Sequence, residues 1–151
     1  MLHAHSATQA TSAFHDPLSR GVAYPNAFVD AVIAAGALAA WSDGRVHPVE
    51  RLEMLVYMRR SGLSLLRRRD VLEIFDQHVC ALQQDPDSAT QATFNLLAEF
   101  SGSGLAWTVL QAAEHVAAAD SRMQDAELTA IQSIRAALGM PPGEVAASLS
   151  A

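Results

Sequence analysis

Two helix–turn–helix segments of one pattern, set 77 residues apart, constrain this chain more than any other feature. The first turn reads Ser42-Asp43-Gly44-Arg45-Val46-His47-Pro48-Val49-Glu50, and a degenerate copy reads Ala119-Asp120-Ser121-Arg122-Met123-Gln124-Asp125-Ala126-Glu127. Asp43 falls on Asp120 and Glu50 on Glu127 at that offset. The flanks follow: Val32 falls on Val109, Ile33 on Leu110, Met54 on Ile131, and Gly62-Leu63 on Gly139-Met140. An internal repeat of this size predicts a domain built from two related halves, about 26–63 and 105–140. Any function is expected where the two acidic turns meet.

The residues around the turns favour helices. Alanine is abundant, aromatics make up only 6% of the chain, and half of it is hydrophobic. Such a composition suits helical packing over sheets. The pattern predicts six main helices: Asn26 to Ser42, Pro48 to Arg60, Leu66 to Gln83, Ser88 to Phe100, Leu105 to Ala119 and Asp125 to Leu138. A short seventh is expected within Pro142 to Ser148. The expected architecture is all-α, a single-domain helical bundle over residues 22–151 with a pseudo-twofold repeat. Residues 1–21 read as a mobile tail, whose His3, His5 and His15 lack any defined ligand spacing. The first helix is apolar almost all round and belongs at the centre, paired with the fifth. Leu52, Leu55 and Val56 are expected on the buried face of the second helix. Trp41 and Trp107 are expected to pack in the core or along a helix seam.

Charge is unevenly placed. Through Arg69 there are eight arginines against five acids; from Asp70 onward there are two against eleven, and the chain has no lysine. The net charge of −6 makes a general nucleic-acid binder unfavourable, since phosphate would be repelled. It suits cations or a basic partner. Arg67-Arg68-Arg69, with Arg59 and Arg60, forms a local basic patch. It reads either as a solvated helix start or as a docking surface for an acidic protein or an anionic membrane. Ala27 to Trp41 is the most apolar run, but it contains Asp30 and falls short of the ~20 residues that span a bilayer. No transmembrane segment or secretory signal is expected. Cys80 is the only cysteine. No intramolecular disulfide follows, and the simplest expectation for it is a small buried apolar side chain.

The turns carry the chemistry. Asp43 and Asp120 can accept bonds from free backbone N–H groups in their connections. Glu50 and Glu127 stand in the first turn of a helix, where negative charge is favoured by about 0.3–1 kcal/mol. Helix capping alone therefore explains each turn. Asp-Gly-x-Val-x-x-x-Glu is also the second half of an EF-hand calcium loop. Its first half is missing, because Ala39, Trp41, Val116 and Ala118 stand where ligands are needed. One turn offers too few oxygens, but two turns together would offer four carboxylates, from Asp43, Glu50, Asp120 and Glu127. Calcium is the first expected ion, with magnesium and manganese as alternatives. Catalytic patterns are absent: Ser101-Gly102-Ser103-Gly104 is not a nucleophile elbow, and Glu73, Asp76 and His78 lack the Glu-x-x-His spacing of di-metal bundles. An enzyme is not expected.

The paired Asp-Gly-x-x-x-x-x-Glu turns, the Ala-rich helices before them and the late segment "IRAALGM" resemble the bacterial TerB-like, or tellurite-resistance protein B, family. The resemblance covers about Asn26 to Val145. It implies an all-helical bundle, a cytoplasmic role in tellurite and stress resistance, and divalent-cation binding at Asp43, Glu50, Asp120 and Glu127; protein partners, membrane-associated ones among them, are expected beside it. The chain departs from the family pattern at Ser121, where the turn usually has Gly, and in lacking lysine. TerB-like domains also occur beside co-chaperone regions, so the resemblance equally admits a structural interaction domain whose acids only cap helices.

Overall fold

α1, Asn26–Trp41, is the axis on which the other helices are laid in the computed structural model. The structure describes residues 26–63, 66–120 and 123–141. The expected tail, the histidines within it, Ser121 and the expected last short helix lie outside the described residues. Within them the order is α1, α2 (Pro48–Arg60), α3 (Arg68–Gln84), α4 (Pro86–Ala98), α5 (Leu105–Ala117) and α6 (Asp125–Ala137), with no strand. The sequence-based boundaries fall within two residues of these, because caps and breakers mark them. Pro48 and Pro86 stand at the first helical position, where a missing N–H costs nothing. The Asp85 carboxylate accepts a bond from the Ser88 backbone N–H and starts α4.

α1 is buried on nearly every side: Phe28, Val29, Val32, Ile33, Leu38 and its alanines from Ala31 to Ala40 are at most 5% exposed. It packs against all five other helices, most extensively against α5 and then α3. Small residues make this possible. A Cβ on Gly36 would lie 2.5 Å from Met54 Sδ and press on Val116, so the absent methyl is what admits α2 and α5 to one point of α1. The core then fills with Met54 and Met58 of α2, Phe75 and Leu82 of α3, Leu97 of α4, Val109 and Leu110 of α5, and Ile131 and Ile134 of α6.

Three expectations fail at the level of faces. The buried face of α2 is Glu50, Met54, Leu55, Tyr57 and Met58, whereas Leu52 is 52% exposed and Val56 only half-buried. A helix touched by α1, α3 and α5 has its inner face set by those neighbours, and the seven apolar residues of α2 are spread too evenly to declare it. Trp107 is 50% exposed, outside the core. Cys80 is also exposed, because α3 turns Val71, Phe75 and Leu82 inward and leaves Cys80 on the other side.

Candidate functional site

The two acidic turns build the same local device. In the first, the His47 backbone N–H donates to Glu50 Oε1 at 2.8 Å; in the second, the Gln124 N–H donates to Glu127 Oε1 at 2.7 Å. Each glutamate is the third residue of its helix and reaches back to the residue before it, satisfying an N–H that the helix cannot. The capping account is therefore correct for one oxygen of each carboxyl.

It does not account for the other. Glu50 is 1% exposed and Glu127 2%, so neither is a surface cap. The Glu127 carboxyl is near enough to raise Glu50 as a polar neighbour and through its charge. Glu50 Oε2 is buried and receives no hydrogen bond from any donor. Two ionised carboxylates have no donor between them and repel, so burying both side by side favours a proton or a cation at the pair. Burial pushes the Glu50 carboxyl up to about 8, with the facing Glu127 carboxyl and the charge of Asp43 adding to the rise against the lowering effect of the His47 N–H. At neutral pH Glu50 is thus held mostly in its uncharged, protonated form.

The aspartates are placed differently. Asp43 Oδ1 accepts the Arg45 backbone N–H at 3.1 Å, and its Oδ2 lies 3.7 Å from His47 Nε2. It is close enough to act on Glu50 through charge, but its side chain is committed to its own turn. Asp120 is exposed just beyond α5. Among the described residues no three His, Cys, Asp or Glu side chains gather at distances that hold a metal ion. The fold brings together Glu50 and Glu127, with Asp43 beside them.

Other polar groups of the interior gave no distinctive pattern. Arg135 is 4% exposed; its Nε donates to the Pro141 carbonyl at 2.7 Å. Glu114 faces it: burial raises the Glu114 carboxyl, and the charges of Arg135 and His115 hold the rise back. On the α2–α5 seam, Tyr57 donates its hydroxyl to the Thr108 carbonyl at 3.0 Å, and its ring lies against His115, centroid to centroid 5.3 Å. His78 Nε2 and Asp30 Oδ1, 2.8 Å apart, join α3 to α1. Apart from the bond to Pro141, these contacts pair residues far apart in the chain, which periodicity cannot reveal.

The family described as tellurite resistance protein TerB matches residues 29–149, most of the chain. The chain belongs to the TerB family. The match spans both acidic turns, so the buried glutamate pair lies inside the family's domain. Comparison with curated proteins and with solved structures returns no match. No helix among the described residues of this TerB domain is long and apolar enough to cross a membrane.

Proposed function

We propose that this TerB domain is a non-enzymatic, cytoplasmic module of tellurite and stress resistance that takes up one divalent cation between its two acidic turns and docks a protein partner. The observation that carries the reading is the buried Glu50 oxygen without a donor, in a carboxyl that the charge of nearby Glu127 acts on. A hard cation satisfies both carboxylates at once and takes the place of the proton on Glu50. Calcium is the first choice, since it accepts the irregular mixture of carboxylate, carbonyl and water that these turns can supply; magnesium demands closer to octahedral order. In this reading Asp43 turns from His47 toward the ion to complete the set, and Asp120 is the corresponding group of the second turn.

Helix capping alone is the competing reading, favoured by the two backbone bonds to Glu50 and Glu127. A melt separates them. Metal-stripped protein is heated with calcium, magnesium, manganese or zinc, beside Glu50→Gln/Glu127→Gln, which keeps the shapes and removes the charges. A ligand that binds only the folded state stabilises it by about 2.7 kcal/mol at a hundredfold excess over Kd. The expected result is a saturable rise in Tm with calcium, absent in the double variant and larger at pH 8 than at pH 6, where protons compete. No rise at millimolar ion would leave capping as the whole account.

A further inference from the structure

The seam between α2 and α3 opens to solvent as three adjoining depressions. The largest, about 1120 Å³, lies over Leu72 and is edged by Arg51, Arg68 and Arg69. One neighbour shares Arg51 and Asp76 with it and is floored by Val46 and Val79; the other shares Arg68 and is floored by Leu55 and Leu66, with Arg59 at its edge. Together they form a groove with an apolar floor and four arginines along its edges. Arg51 is spent on Asp76, at 2.7 and 2.9 Å, and Arg69 reaches Asp70 at 3.9 Å. Arg59 and Arg68 make no ion pair among the described residues.

We propose that this groove is the docking site for an acidic amphipathic helix of a partner protein. Charge complementarity selects the occupant: two unpaired guanidinium groups flank apolar ground in a chain that is otherwise acidic. The groove follows α2, whose 13 residues span ~20 Å, so about four turns of helix fit, with apolar anchors at i, i+3, i+4 and i+7 meeting the floor. This chain's own ends do not supply it: residues 1–25 carry a single acid, Asp16, and residues 142–151 only Glu144. A flat anionic membrane fits less well, because Glu73, within the groove, would face the headgroups. Towards a helical partner Glu73 instead sets register, excluding an acid at one position. The inference rests on the partner-docking half of the proposed function and not on its cation half.

The test is a selection from a displayed library of helical peptides about 14 residues long, against the full chain in chelator, followed by fluorescence anisotropy of the enriched peptides. Vesicles containing one quarter phosphatidylglycerol form a separate arm. The expected outcome is enrichment of peptides with acids around apolar anchors at helical spacing. Their binding should weaken at least tenfold in Arg59→Glu/Arg68→Glu and in Leu72→Gln, and weaken with added salt. Melting temperature confirms that both variants fold, and Arg59→Gln/Arg68→Gln gives an intermediate loss if charge is the cause. No enrichment, or enriched peptides without acids or indifferent to the arginines, overturns the proposal. Vesicle binding that depends on Arg59 and Arg68 while no peptide is enriched also overturns it and assigns the face to a membrane. Because the selection is done without metal, its failure leaves the cation melt unaffected, and the reverse holds.

Discussion

At Glu50 a single side chain serves two purposes that pull its proton in opposite directions. The bond from the His47 N–H favours the carboxylate; burial and the facing Glu127 favour the acid, and they prevail. Because the folded value is raised from 4.5 to about 8, the proton contributes stability that is complete below about 4.5 and is lost as pH rises through 8. Metal-free protein should therefore lose melting temperature between pH 5 and 9, a slope that calorimetry at constant ionic strength reads. Glu50→Gln keeps the acceptor for His47 and adds a donor for Glu127, so it should flatten the slope and melt higher than the parent at pH 8.5. A parent with a flat profile over that range would show that the pair holds no such proton. Arg135 poses the converse problem, a buried cation held by the Pro141 carbonyl and the charge of Glu114. Arg135→Met should cost about 1–3 kcal/mol in urea unfolding, since it strands the carbonyl and the carboxyl together. A neutral result would mean that both groups find water in the variant.

Helix ends were the most legible part of the sequence and helix faces the least. Prolines at first positions, Asp85 as a cap and glycines past the last turn are local signals, and α1 to α6 start and stop where those signals stand. The central place of α1 could also be read, from an apolar run with hardly a polar face. The inward face of α2 could not, because which side of it is buried depends on α1, α3 and α5 arriving around it. Glu50 and Glu127 were visible as paired acids. Their burial and their facing each other were not, since both follow from how the halves meet; Asp120 shares the spacing without joining them, and Asp43 lies beside them. The glycine ends give an element-scale prediction. Gly139 has φ +72°, and the N–H groups of Gly139 and Met140 donate to the carbonyls of Ala136 and Arg135, closing α6 in a Schellman motif. Gly62 ends α2 with the same φ, but a Cβ there meets nothing, whereas one on Gly139 would run into Ser101 Oγ. Gly62→Ala should cost about 1–2 kcal/mol from backbone alone, and Gly139→Ala more. Adding Ser101→Ala to Gly139→Ala should recover the difference. Equal costs for the two single variants would show that Ser101 moves aside freely.

For the whole molecule, the decisive fact is that every helix leans on α1. A bundle of two autonomous halves could lose one and keep the other. Here α1, from the first half, meets α5 of the second more extensively than its own partner α2, so separating the halves strips the core from both. The unfolding transition should then be single, with fluorescence and circular dichroism coinciding. Amide exchange should be slowest from Val32 to Ala40, whose opening requires global unfolding, and faster in α4, where Ala92 and Ala98 face solvent. Val32→Ala, at a fully buried site, should lower the exchange free energy of α1, α3 and α5 together by about 1–3 kcal/mol. If only α1 and α2 responded while α5 and α6 kept their protection, the halves would be separate cooperative units. The glutamate pair would then bridge two bodies that move independently, and a cation between them would act as a clasp that creates their association instead of a ligand of one preformed core.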